Sequence, residues 1–194
     1  LAVSGLLSTK MYGPGVMPYQ PAGVWKSPWS GDEWKQSEGE DEYRRSIYTF
    51  VKRTSSYPAA LTFDLASRES CAARRTRTNT PLQALVTLND SALVSAARFL
   101  ADTIQNSVPG NATLQISKLY KRAIGSVIDA ETSRALEKLY AQALSYYSSH
   151  PAETGKLLGK KTVQSKNEPA WNERAALTLV ANAVLNLDEF VTKS

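Results

Sequence analysis

The sequence predicts a predominantly α fold: a helical bundle over about residues 80–194, preceded by an irregular Pro/Gly/aromatic-rich region with at most short β pieces. After residue 80, apolar residues recur at helical spacing in stretches that begin at capping residues and end at Pro or Gly. Before residue 41, prolines and glycines are too dense for regular helix or strand. Tryptophans and tyrosines interleaved there are expected to pin this region to a core.

The composition fits one globular domain of 194 residues, in which the irregular region, residues 1–79, packs on the bundle, residues 80–194. Hydrophobic residues make up 42% and charged residues 21%, close to globular averages, which excludes wholesale disorder. The apolar runs are short and broken by polar residues, so no membrane span is expected. Because the chain starts at Leu1 without an initiator Met, we interpret it as a fragment of a larger chain.

The clearest local signal is the start of the first bundle helix. Thr80 is a good N-cap, Pro81 suits the first helical position, and Gln83 completes a capping box. Further caps are expected at Asn89 or Asp90, Thr113, Asp129 and residues 167–169, the last starting a helix that runs towards Phe190. In the N-terminal region, Pro58 is expected to end whatever precedes it, and residues 60–63 to form a short extended piece.

The chain has a single cysteine and a single histidine, which limits the catalytic and metal-binding sites that it could form. Cys71 alone allows no internal disulfide, zinc set or CxxCH motif. A Ser–His–Asp triad would have only His150 to use, and the dipole of the helix that ends there accounts for that histidine without chemistry. We therefore assign no catalytic residue and no metal ligand, and expect that this fragment is not an enzyme by itself.

The one candidate site is an arginine-rich segment. Residues 41–80 carry eight basic and four acidic side chains, in a chain of net charge +5. Guanidinium groups match carboxylate, sulfate or phosphate, and the candidate anion site comprises Arg44, Arg45, Arg74, Arg75 and Arg77 with Asp64. The competing interpretation is structural: the arginines pair with acidic side chains and backbone carbonyls, and Asp64 is a salt-bridge partner or helix cap. Since no DNA- or RNA-binding motif is present, nucleic acid is not an expected partner.

Four segments, in chain order, resemble the C-terminal region of an uncharacterised bacterial family. It is the planctomycete-associated surface-protein domain, often found in one polypeptide with a planctomycete-type cytochrome c domain. The segments are GPGVMPYQPAGVW at 13–25, YRRSIYTFVKRTSSYP at 43–58, LTFDLASRESCAARRTRTNTPLQALVTLND at 61–90 and LVANAVLNLDEFV at 179–191. The most specific stretch is RRTRTNTPLQALVTLND at 74–90.

The resemblance implies an exported protein, periplasmic or at the cell surface, with haem bound by an upstream domain and no cofactor in this fragment. The implied partners are other domains of the same polypeptide, and a sulfatase-like protein or an anionic polysaccharide. No catalytic residue carries over, because the family has no settled catalytic motif.

Two functions stay open on these observations. The first is a non-catalytic interaction or scaffold domain of an exported, cytochrome-linked bacterial surface protein. The second is a portion of an enzyme or binding module whose Arg-rich pocket holds a sulfated or acidic glycan. Arginines lining one open cleft would favour the second function, whereas arginines bonded to carboxylates or carbonyls would favour the first.

Overall fold

The computed structural model describes residues 1–21, 23, 33–51, 56–66, 78–159 and 169–191. Two compact units are present: the N-terminal unit, Leu1 with Leu6–Val86, and the helical unit, Ala2–Gly5 with Thr87–Ser194. The prediction of a predominantly α fold is confirmed, because eight α-helices lie in the described residues. The β structure in those residues is one isolated bridge between Val16 and Thr49.

The N-terminal unit is irregular, as predicted, and backbone hydrogen bonds between distant segments join it. Short 3₁₀ helices span Gly39–Tyr43 and Ser46–Tyr48. The buried Val16 donates its amide to the Tyr48 carbonyl and accepts the Phe50 amide, both at 2.8 Å. A strand-like pairing of only two residues thus fixes residues 10–17 beside residues 43–50.

Aromatic side chains hold further turns of this unit. The rings of Trp34 and Tyr57 are stacked, with centroids 5.8 Å apart. Trp34 Nε1 donates to the Pro18 carbonyl at 2.9 Å, and the Tyr57 hydroxyl donates to the Tyr19 carbonyl at 2.8 Å. Each ring therefore buries apolar surface while its polar atom satisfies a loop carbonyl.

The prediction of an extended piece at 60–63 is wrong. A short helix, α1, spans Pro58–Thr62. Pro58 starts this helix because its fixed φ suits the first turn, where its missing N–H would have no intrahelical partner.

The helix α2, Pro81–Asn89, begins at the predicted capping box. The Thr80 amide donates to Gln83 Oε1 at 3.0 Å, and the Gln83 amide donates to Thr80 Oγ1 at 3.3 Å. Its burial reverses the usual amphipathic arrangement. The polar Gln83 and Thr87 are only 2% and 7% exposed, whereas its leucines are exposed.

The helical unit packs its longer helices around α7. The remaining helices are α3, Ser91–Ser107; α4, Ala112–Ile124; α5, Ala130–Ser149; α6, Pro151–Leu158; α7, Pro169–Val184; and α8, Asp188–Val191. α7 contacts α3 and α5 most extensively. Its Ala175, Ala176 and Ala181 are fully buried, which lets neighbouring helices approach closely. No single described helix is long and apolar enough to cross a membrane, although α2 and α3 pass that test together as a bent pair.

The helix boundaries in the described residues follow the sequence with two differences, and the predicted caps at residues 167 and 168 lie outside those residues. Asp90 and Asp129 cap α3 and α5, as predicted, by accepting two backbone amides each. α4 is capped by Asn111, not Thr113, since Asn111 Oδ1 accepts the Leu114 amide at 2.9 Å. The predicted last helix ends at Val184, and α8 follows as a separate piece, bound to α4 by a 2.6 Å hydrogen bond from the Tyr120 hydroxyl to Glu189.

Candidate anion site

Arg44 is built into the N-terminal unit rather than into an open cleft. Its side chain is 1% exposed. The guanidinium donates to the carbonyls of Lys10 and Pro14, at 3.4 and 3.3 Å, and to that of Tyr12. The group also lies 3.8 Å from the centroid of the Tyr48 ring, a cation–π contact.

The turn that Arg44 holds is strained, which explains why it needs such an anchor. Tyr12 has a φ of 62°, a backbone conformation that residues other than glycine rarely adopt, and Gly13 has a φ of 93°. Three carbonyls of residues 10–14 converge on one guanidinium, whose planar fork of donors suits that arrangement. Asp41 lies 4.0 Å from Nε and adds a carboxylate partner.

Arg45 has the opposite environment, although it is the next residue. It is exposed, and its Nη1 lies 3.1 Å from the Met11 sulfur. The Tyr48 hydroxyl lies 3.9 Å from the same sulfur and accepts the Tyr12 amide at 2.9 Å. Of the two adjacent arginines, Arg45 is therefore the one whose guanidinium faces solvent.

Asp64 links two described parts of the chain through its carboxylate. Its φ of 61° marks a left-handed turn directly after α1. The carboxylate accepts the Thr78 amide at 2.7 Å and the Thr78 hydroxyl at 2.8 Å. Both ends of the segment 64–78 are thereby joined, so this carboxylate acts as a clasp, neither a salt-bridge partner nor a helix cap in the described contacts.

Replacing Asp64 by alanine should lower the local stability of this clasp by about 1–2 kcal/mol, because two hydrogen bonds are lost and the left-handed φ remains. Asp64→Asn should cost less, since asparagine tolerates that φ and keeps one acceptor oxygen. Hydrogen exchange at the Thr78 amide is the measurement. Unchanged Thr78 protection in Asp64→Ala would show that the clasp contributes nothing.

The predicted site residues fall into two sets. Arg74, Arg75, Arg77 and the neighbouring Cys71 lie outside the described residues. Of the remaining three, the described contacts of Arg44 and Arg45 involve residues 10–14, 41 and 48, whereas those of Asp64 involve Thr78. The contacts of Asp64 therefore share no residue with those of the two arginines.

A second arginine cluster was missed by the sequence analysis. Asp102 on α3 forms an ion pair with Arg174 on α7, and Arg98 lies one turn earlier on α3. Burial raises the pKa of Asp102, and the Arg174 and Arg98 guanidinium groups oppose this without cancelling it. The i, i+4 spacing of Arg98 and Asp102 was visible in the sequence, but their partner 72 positions later was not.

The contribution of Asp102 to the free energy of unfolding of the helical unit should be more favourable at acidic pH than at neutral pH. A carboxyl whose pKa is raised on folding favours the folded state below its ordinary pKa, and that contribution is lost as pH rises through the folded pKa. The free energy of unfolding of the wild type, minus that of Asp102→Asn, should therefore fall between pH 4 and pH 7. Urea unfolding at both values tests this, and a difference that rises with pH would contradict the shift.

Comparison with known proteins gives a family but no activity. A family model described as PSD1, protein of unknown function (DUF1553), matches residues 1–140. This match includes the first three segments of the resemblance and ends before 179–191. No curated protein and no solved structure matches the chain.

Proposed function

We propose that this chain, which belongs to the PSD1 family of unknown function (DUF1553), is a non-catalytic interaction or scaffold domain of an exported, cytochrome-linked bacterial surface protein. Its partners would be other domains of the same polypeptide and a sulfatase-like protein. Haem would be held by another domain, and the chain would work outside the cytoplasm. The resemblance of residues 13–25, 43–58 and 61–90 to the surface-protein domain motivates the export and cytochrome aspects of the proposal.

The buried Arg44 is the observation that supports a scaffold role best. A guanidinium that binds an anionic substrate must be accessible to it, and its N–H donors must not already be bonded to the protein. At Arg44 the two terminal nitrogens, Nη1 and Nη2, donate to three backbone carbonyls, and the charge lies against an aromatic ring. The buried Nε makes no hydrogen bond and lies 4.0 Å from the Asp41 carboxylate. Asp64, the carboxylate suggested for the pocket, is likewise bound to Thr78.

The exposed Arg45 favours the second function, an anionic-glycan site. Its guanidinium is accessible and lies beside Met11 and Tyr48, so a sulfate or carboxylate could reach it without breaking the Arg44 network. A polysaccharide site centred on Arg45 would be shallow and would depend on salt.

A thermal-shift series separates the two functions. The 194-residue chain is melted with sulfate, phosphate, glucuronate and a sulfated polysaccharide at matched ionic strength. The scaffold role predicts a melting temperature unchanged by all four, since a ligand that binds only the folded chain would raise it. A rise with the polysaccharide that disappears in Arg45→Met would instead establish the glycan site.

Isolation of the natural protein tests the cytochrome and export aspects. We expect a haem-staining polypeptide much larger than the 21.2 kDa of this chain, recovered from the extracytoplasmic fraction. A haem-free product confined to the cytoplasm would refute both aspects, and it would leave the role of Arg44 unaffected.

A further inference from the structure

The sulfur of Met11 lies between two hydrogen-bond donors at the surface of the N-terminal unit. The residue is 51% exposed. Its Sδ lies 3.1 Å from Arg45 Nη1 and 3.9 Å from the Tyr48 hydroxyl. A thioether is only a weak acceptor, whereas a guanidinium forms its strongest bonds with charged or strongly polar acceptors. Two donors, one of them charged, therefore face a group that uses them poorly.

Met17, the other methionine of the chain, has a different environment. It is partly buried, and its backbone pairs with Ser37. Its amide donates to Ser37 Oγ at 2.9 Å, and its carbonyl accepts the Ser37 amide at 2.8 Å. An oxidant dissolved in water therefore reaches the sulfur of Met17 less readily than that of Met11, because oxidation of methionine follows exposure. Met17 thus serves as an internal reference for the reactivity of Met11.

Oxidation of Met11 by hydrogen peroxide would place a strong acceptor between the two donors. The sulfur attacks one peroxide oxygen, so that the S–O bond forms as the O–O bond breaks. The sulfur loses two electrons to the peroxide, and the departing hydroxide takes the proton of the newly bound hydroxyl and leaves as water. The product is a polar sulfoxide, whose oxygen accepts hydrogen bonds from the Arg45 guanidinium and the Tyr48 hydroxyl.

Tyr48 connects this position to the strained turn. Its hydroxyl accepts the Tyr12 amide at 2.9 Å, and its ring lies under the Arg44 guanidinium. A hydroxyl that donates to a strong acceptor becomes a better acceptor itself, since bonds in a chain polarise one another. The sulfoxide of Met11 would therefore strengthen the bond from the Tyr12 amide. Methionine oxidation usually disrupts a core, but half of this residue is already in solvent.

We propose that Met11 is a reversible oxidation site, whose sulfoxide is bound by Arg45 and Tyr48 and fastens the turn at residues 10–14. The oxidant is a hydroperoxide. A methionine sulfoxide reductase, with thiols as the reductant, returns the thioether and releases the oxygen as water. This inference concerns the N-terminal unit alone and does not depend on the scaffold role proposed above.

Limited oxidation of the full chain by hydrogen peroxide tests the selectivity. Trypsin releases both methionines in one peptide, residues 11–26, in which tandem mass spectrometry separates the two sulfoxides. Met11 should be oxidised at least about 10-fold faster than Met17 in the folded chain, and the ratio should fall to about one in urea. Equal rates in the folded chain would overturn the proposal.

Hydrogen exchange at the Tyr12 amide tests the binding of the sulfoxide, in a Met17→Leu background that leaves Met11 as the only methionine. Oxidation should slow this exchange at least about threefold, and reductase treatment should restore the original rate. Arg45→Leu should abolish the slowing, whereas the matched control Arg45→Lys, which keeps a cationic donor, should retain most of it. Exchange that oxidation leaves unchanged or accelerates would overturn the proposal, as would equal slowing in Arg45→Leu.

Discussion

Replacing Arg44 by methionine should lower the stability of the N-terminal unit by about 3 kcal/mol, the largest effect expected of any single change among the described arginines of that unit. Methionine has a similar reach but no donor, so the carbonyls of Lys10, Tyr12 and Pro14 lose a charged partner together. The strained φ of Tyr12 then remains without the contact that holds it. The cation–π contact with Tyr48 is lost as well.

Native-state hydrogen exchange is the suitable measurement, because it reads this unit separately from the helical unit. The Val16 and Phe50 amides, which pair residues 10–17 with residues 43–50, should lose protection in Arg44→Met. Arg44→Lys should lie in between, since one ammonium cannot serve three carbonyls. Arg45→Met is the matched control on the exposed neighbour and should change stability by less than about 0.5 kcal/mol. Equal effects of the two methionine variants would refute the assignment of Arg44 as the anchor.

Replacing Gln83 by methionine should cost a similar amount, about 3 kcal/mol. Gln83 is 2% exposed, and its amide bonds Thr62, Thr78 and Thr80. Methionine fills the same space but removes the hydrogen-bond partner of the Thr62 carbonyl and of the Thr80 amide, both of which are partly shielded from water. The start of α2 and the end of α1 should both loosen.

Gln83→Glu separates the two halves of this network. Glutamate keeps the oxygen that accepts the Thr80 amide, so the capping box survives, but it loses both donor bonds to Thr62 and Thr78. Exchange at the Thr80 amide should therefore stay slow in Gln83→Glu and become fast in Gln83→Met. If Thr80 exchanges alike in both variants, the capping bond is not what protects it.

The sequence specified the helices of this protein well because their signals are local. Thr80 and Pro81 mark the start of α2, and Asp90 and Asp129 cap helices by bonds within three residues. The prediction of an extended piece after Pro58 was wrong because a proline that ends one element also suits the first turn of a following helix.

The direction of α2 was beyond the sequence, although its leucines are evident there. Periodicity shows that a helix has an apolar side, but it does not show whether that side meets the rest of the chain or another molecule. The answer depends on Gln83, whose partner Thr62 lies 21 residues earlier. Pairing at that distance leaves no periodic signal.

The candidate site illustrates the same limit for charge. The density of basic residues was readable, but the different environments of Arg44 and Arg45 follow from carbonyls 30–34 residues away. Asp64 was expected to belong to the anion site or, in the competing interpretation, to be a salt-bridge partner or a helix cap. Its hydrogen bonds with Thr78 depend on the left-handed φ of Asp64, which no pattern in the sequence predicts.

The central claim is that the Arg44 guanidinium binds the protein's own backbone and no external anion. The most direct measurement is the ¹⁵Nε signal of Arg44 in an NMR titration with a sulfated polysaccharide, with that of Arg45 as an internal reference. The Arg44 signal should stay in place at every concentration, whether or not that of Arg45 moves. A saturable shift of the Arg44 signal in the wild type would contradict the claim, provided that Arg44→Met also abolishes the thermal stabilisation by the polysaccharide.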